Sequence, residues 1–364
     1  MLRMMSRAVF LCCGFLATQG ALANEKIGVL FGSYGDIDDV NTELRPFIRA
    51  TLTDPDVLPL PPWARATIAD AGWYIEKKGI QEEYAAIGGR SNMRATSKAQ
   101  AEAVAAELEH RGYDATAYTG FTMTFPFVDE ALTKAQSDGI GKLYVFYQGA
   151  QYSKVTGQIV FRHVKEYLAR HPEWNVNVIA IKSFTDDPRF LDLITKRIDH
   201  QLKTSFADYA NDDVCLFFPM HGNVERLSRE GDPYVPQIER VTDGLRARYP
   251  SSPIFVGFQN HDEIPFLKWT QPTTDTALAK IADHTCQAVL INGLISFTVD
   301  SLETLFDHAI DEPKVLLQET TKKGRSPKPV VVEKMFNDDR DFVDFMASLV
   351  EDAQKGQGDL AILR

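Results

Sequence analysis

Residues 214–261 contain VCLFFPMHG (214–222), YVPQIERVTDGLRARY (234–249) and SPIFVGFQNH (252–261), in that order. Two short apolar runs flank a segment whose apolar residues recur at helical spacing. That is the pattern of strand, helix and strand in one parallel unit. The first run ends on His221 and a glycine, at the carboxyl end of a strand, where open α/β sheets bind their ligands.

The rhythm extends in both directions. KIGVLFGSYG (26–35) reads as a strand entering a glycine turn, and SKAQAEAVAAELEHRG (97–112) as a helix closed by Gly112. YDATAYTGF (113–121), KLYVFYQGAQYS (142–153) and NVNVIAIKSF (175–184) read as further strands, separated by helical segments such as FPFVDEALTKAQSDG (125–139). After the opening stretch come the helix TTDTALAKIADHT (273–285), the strand QAVLINGLIS (287–296) and a last helix, RDFVDFMASLVEDAQKG (340–356). Alternation of this kind predicts an α/β protein of mainly parallel sheets flanked by helices, and the length allows two domains. The expected division is 24–165 for the first domain and 166–325 for the second. Residues 326–364 form a closing segment whose helix packs back on the first domain.

Residues 1–23 stand apart. Arg3 and Arg7 precede the apolar run AVFLCCGFLA, and Ala21-Leu22-Ala23 fits a small-residue cleavage site. This is the layout of a secretory signal peptide, which predicts an exported, periplasmic protein. An uncleaved anchor or an organelle-targeting segment are the alternatives. Cys12 and Cys13 lie in no lipoprotein box. Cleavage near Ala23 would remove two arginines and no acid, taking the formal charge from −11 to −13. So acidic a chain is a poor partner for nucleic acid. Cys215 and Cys286 would remain, both in apolar surroundings, and are expected to be buried free thiols rather than a disulfide. Two cysteines are too few for an iron–sulfur cluster built on four thiolates. FGSYGD does not complete a dinucleotide fingerprint, and no phosphate loop or zinc-protease motif occurs.

Six segments in order resemble the ferrochelatase family: LRPFIRATLTDPDVLPLPPW (44–63), YAAIGGRSNMRATSKAQAEAV (84–104), YVFYQGAQYSKVTGQ (144–158), FFPMHGNVERLSREGDPYVPQ (217–237), FTVDSLETLFDHAID (297–311) and MFNDDRDFVDFMASLV (335–350). The resemblance implies metal insertion into a porphyrin by a lyase that needs no prosthetic group, with Fe2+ or another divalent metal as substrate. It also implies two Rossmann-like domains with a cleft between them, across which His221 and Glu303 face each other, His221 otherwise reading as a histidine satisfied in the core. A neutral imidazole can accept a pyrrole proton or ligate a borderline metal, and a carboxylate opposite it can pass on metal or protons. Tyr34, Tyr152, Ser153, Phe297 and Trp269 are candidates for gripping the ring. Asp300 is a further metal candidate, and Asp300, Glu303 and Asp307 would form one acidic ridge on a helix, Asp307 reading rather as a solvated residue.

The match departs around the cleft. Ser301 stands where the family has histidine, and the front loop reads GSYGDIDD (32–39) instead of the family's glycine-threonine-proline. NHDEIPFLKWTQP (260–272) is lengthened and adds His261, Asp262 and Glu263, read as a solvated loop or an added metal-handling group. These departures keep two alternatives open: an exported tetrapyrrole- or metal-binding protein without turnover, or a chelatase for another ring such as sirohydrochlorin. Association with a membrane surface also stays open.

Overall fold

The computed structural model describes residues 25–259 and 268–364. The first sheet is entered by strand β1 (Lys26–Ser33), followed by helices α1 (Leu44–Thr53), α2 (Pro62–Ala86) and α3 (Met93–His110). Then come β2 (Asp114–Phe121), α4 (Val128–Ser137), β3 (Lys142–Tyr147), α5 (Gly157–Arg170) and β4 (Asn177–Ser183). Helix α6 (Pro188–Lys203) leads to the second sheet: β5 (Val214–His221), α7 (Glu225–Arg229), α8 (Tyr234–Arg248), β6 (Ile254–Gln259), α9 (Thr274–Asp283) and β7 (Ala288–Ile291). A π-helix, Glu303–Asp311, runs directly into α10 (Glu312–Lys322), and β8 (Val330–Val332), α11 (Arg340–Gln354) and β9 (Asp359–Ile362) close the chain.

The strand orders are β2-β1-β3-β4-β9 and β6-β5-β7-β8. All pairings are parallel except that of β9, which adds antiparallel to β4. Each half therefore winds out from its first strand to one side and then to the other. That reversal leaves a crevice beyond the carboxyl ends of β1 and β3, and a second beyond those of β5 and β7. Ligand-binding side chains are expected from the residues that follow these four strands.

The sheet boundary falls later than the sequence pattern places it. β4 pairs with β3, so residues 177–183 complete the first sheet, and the chain crosses over between Ser183 and Val214 rather than at residue 165. Helix α11 lies against α3. Arg111, at the end of α3, donates to Asp344 and Glu351 of α11 at 2.6 and 2.7 Å. Its inner face adds Phe342 and Phe345 to an apolar core that runs continuously from Phe31 and Phe146 of the first sheet to Leu216 and Phe218 of the second. Burial of each such side chain contributes about 1.5–3 kcal/mol.

A second correction concerns the cysteines. Cys215 and Cys286 form a disulfide, with Cα atoms 5.7 Å apart, in place of the free thiols expected. Parallel pairing of β5 with β7 sets Cys215 beside Val289, three residues beyond Cys286, and so brings the two sulfurs together.

Candidate active site

β5 carries His221 to the mouth of the second crevice. All seven preceding residues of the strand are buried, whereas His221 itself is half-buried. Gly222 follows because β5 and β6 converge there: its amide donates to the Gln259 carbonyl at 2.8 Å, and a Cβ would lie 2.4 Å from that oxygen. The His221 ring is 2.7 Å from the Gly222 carbonyl through Nδ1. A carbonyl only accepts, so Nδ1 is the donor in this contact, and in the neutral ring Nε2 is then the acceptor. Tyr234, in the GDPY segment, donates to the His221 carbonyl at 2.9 Å and fixes the backbone beneath it.

Glu303 opens the π-helix beyond β7 and is half-buried. Ser301 donates to its Oε2 at 2.6 Å, so the residue standing in place of the family's histidine orients the carboxylate. The turn before it is braced by Asp300, whose carboxylate accepts from Asn337 at 2.8 Å and from Thr304 at 3.3 Å. Asp307 lies four residues beyond Glu303 and accepts from Gln259 at 3.2 Å. His221 thus stands at the carboxyl end of β5 and Glu303 beyond that of β7, and each makes its own hydrogen bonds.

The first crevice contributes a residue that motif reading passes over. Asp36, in the loop after β1, is buried and accepts hydrogen bonds from the Ile37 amide at 2.7 Å, the Leu302 amide at 3.0 Å and the Tyr84 hydroxyl. Gly35 makes the turn into it at φ +88°, where a Cβ would lie 2.4 Å from Thr124. Burial, and then the charge of Glu303, raise the Asp36 carboxyl above its ordinary range, against opposing hydrogen bonds from Ser91, Tyr84 and Ile37. Burial also pushes the Tyr147 hydroxyl, at the end of β3, up to about 12, with the charge of Glu303 adding to the rise. Glu303 is therefore sensed from both β1 and β3.

The other sequence candidates divide by environment. Ser153 is fully buried and donates to Asp232 at 2.9 Å, which joins the loop after β3 to the GDPY segment of the second half. Tyr152 is half-buried against Phe161, and its hydroxyl donates to Gln158 at 3.2 Å. Phe297 is half-buried and meets the His308 ring edge-on at 5.2 Å. Tyr34 and Trp269 are also half-buried, with Trp269 bridging to Val224 and the Tyr34 carbonyl accepting from Met123 at 3.0 Å. His261, Asp262 and Glu263 lie outside the described residues, as does the segment read as a signal peptide.

Among the described residues, one group of three His, Cys, Asp or Glu side chains has its ligand atoms within 4.8 Å of one another: Cys215, His284 and Cys286. It lies at the far end of β5 from His221, and its two sulfurs are bonded to each other. His221, Glu303 and Asp300 are not gathered into such a cage. No described helix is long and apolar enough to cross a membrane.

Comparison with known proteins adds an independent finding. The family model described as Ferrochelatase matches residues 26–354. The ferrochelatase of Gloeothece citriformis is 30% identical over 294 residues, covering 80% of this chain and 74% of its own. Ferrochelatase-1, chloroplastic/mitochondrial, of Arabidopsis thaliana is 28% identical over 321 residues, covering 85% and 67%. Among solved structures, SirB from Bacillus subtilis with Fe3+ superposes with a TM-score of 0.53 at 11% identity, covering 92% of this chain and 99% of its own. DR2241 from Deinococcus radiodurans, described as structurally similar to chelatases, gives 0.52 at 12% identity, covering 92% and 56%. The two structural likenesses bear on the fold alone.

Proposed function

The chain belongs to the ferrochelatase family and is a metal chelatase, a lyase that inserts metal into a tetrapyrrole; from that premise we propose that its metal is Fe2+, its ring a porphyrin, and His221 with Glu303 the pair that handles protons and metal. The observation that carries this reading is the 2.7 Å contact between His221 Nδ1 and the Gly222 carbonyl. With Nδ1–H spent on the Gly222 carbonyl, Nε2 is the ring nitrogen left to accept a proton or ligate a metal. Insertion replaces two pyrrole protons by one divalent metal, so the site must take up two protons for each metal delivered. Nε2 of His221 accepts a pyrrole proton, and Glu303, oriented by Ser301, receives the metal or the second proton. The half-buried Tyr34, Tyr152 and Phe297 supply apolar surface for holding a ring bent out of plane, so that its lone pairs leave that plane.

We place the mature protein outside the cytoplasm. The Cys215–Cys286 disulfide supports this, because such bonds persist in oxidising compartments. Association with a membrane surface is supported by Trp63 and Ile75 of α2, which are 75% and 73% exposed. A second reading, a tetrapyrrole-binding protein without turnover, draws on Ser301, which engages the Glu303 carboxylate itself.

One anaerobic experiment separates the readings. Purified mature protein is mixed with a porphyrin and Fe2+ or Zn2+, and the visible bands are followed. Conversion from the four-band free-base spectrum to the two-band metalloporphyrin spectrum is expected, and is lost in His221→Ala and Glu303→Gln. Saturable porphyrin binding without conversion would leave a carrier, and conversion that survives both substitutions would refute the assigned pair.

A further inference from the structure

The helix that presents Glu303 starts with backbone amides that its own turns do not satisfy, as every helix does. One of them, on Leu302, donates to Asp36, which comes from the other sheet and lies 266 residues away in the sequence. Asp36 is itself held in place: it is buried, its other oxygen accepts from the Ile37 amide and the Tyr84 hydroxyl, and Tyr84 is anchored at the end of α2. The carboxylate thus acts as a helix cap delivered from outside the helix. A negative group at that end is favoured by the helix dipole. Asp36 occupies the front loop, one of the places where the sequence departs from the family pattern. Its contact is made one residue before Glu303, beside Ser301, the second departure.

We propose that Asp36 is a positioning residue for metal insertion: from the first half of the molecule it caps the helix that presents Glu303, and so fixes where that carboxylate stands in the cleft. The two departures then act as one arrangement. Ser301 sets the Glu303 side chain, and Asp36 sets the backbone that carries it. The proposal rests on the assignment of Glu303 made above, and two measurements keep the two claims apart.

The first is kinetic. Asp36→Ala is expected to lower kcat/KM for the metal by about 10–100-fold, the scale of loss when a reacting group is displaced by about an ångström. Porphyrin affinity, read by fluorescence, stays unchanged. Asp36→Asn keeps one of the two acceptor oxygens, which the Ile37 and Leu302 amides then compete for, and recovers only part of the loss. In a Ser301→Ala background, where the Glu303 side chain has already lost its donor, Asp36→Ala costs less than it does in the wild type, because both residues act through Glu303. Equal losses in both backgrounds, or an Asp36→Ala enzyme with wild-type metal kinetics, would overturn the proposal.

The second measurement needs no activity. Hydrogen exchange followed by mass spectrometry is expected to quicken several-fold in Asp36→Ala for the peptide covering residues 301–311, and to change little in β5. Unchanged protection there sinks the capping claim, whereas a wild-type protein that never metallates a porphyrin sinks the assignment of Glu303 and leaves exchange to judge Asp36.

Discussion

His308 makes a quantitative prediction about acid stability. It lies on the π-helix, fully buried, with Nε2 3.0 Å from the Gln259 side-chain oxygen and, among the described residues, no partner for Nδ1. The Gln259 amide also donates to Asp307, so the glutamine is held with its oxygen toward the imidazole. That arrangement satisfies the neutral ring, with its proton on Nε2, and offers nothing to a second proton on Nδ1. Burial accordingly lowers the His308 pKa from about 6.5 to about 3. Above pH 6.5 the ring is neutral in both folded and unfolded chains, and its contribution to stability is fully present. As pH falls from 6.5 toward 3, the unfolded chain binds a proton that the folded one refuses. Stability is then lost at up to about 1.4 kcal/mol per pH unit. His308→Leu removes this proton linkage. It also strands the Gln259 oxygen, at a cost of about 1–3 kcal/mol that does not vary with pH. Urea unfolding at pH 7, 6, 5 and 4, followed by tryptophan fluorescence, should show the variant weaker at pH 7. Its deficit then shrinks by roughly 1 kcal/mol for each unit below pH 6. A deficit constant from pH 7 to pH 4 would refute the argument.

Three further outcomes follow from the same structure. Glu312, four residues along, is buried with both oxygens unpartnered among the described residues, and burial raises its pKa well above the ordinary value. Its cost appears as pH rises above about 4.3, so Glu312→Gln should stabilise the protein by about 1–3 kcal/mol at pH 7 and by nothing at pH 4, as read from the same urea curves. The Cys215–Cys286 disulfide closes a loop with a sequence separation of 71. Chain-entropy arguments put its contribution at about 4 kcal/mol, so a double Cys→Ser variant should unfold at correspondingly lower urea, and an unchanged midpoint would refute the estimate. Ser153→Ala removes a donor from the buried Asp232 carboxylate. It should cost about 1.5–3 kcal/mol of stability while porphyrin affinity, measured by fluorescence quenching, stays within twofold or so of wild type; lost affinity in a stably folded variant would instead put Ser153 at the ring.

What the sequence reveals and what it hides follow from the range of the interactions involved. Strand and helix periodicities are local, so the alternation that specifies an α/β fold is legible, and so is His221, at the end of an apolar run and before a glycine. The sheet to which a strand belongs is not a local property. β4 follows α5 in the same rhythm as its neighbours, and only pairing with β3 assigns it to the first sheet. The cysteines were hidden for the same reason. VCLFF and CQAVLI read equally well as core whether or not their sulfurs meet, and it is the β5–β7 register that decides. Asp36 is the sharpest case. As one of three acids in GSYGDIDD it has the look of a solvated loop residue, since an acid next to glycine most often faces water. Its burial is tolerable because Ile37, Tyr84 and Leu302 supply donors from three separate parts of the chain. A motif search weighs residues against a remembered pattern, and this acid belongs to no pattern of its own. It becomes readable only where the front loop and Ser301, both departures from the family pattern, are found together at the turn that leads into Glu303.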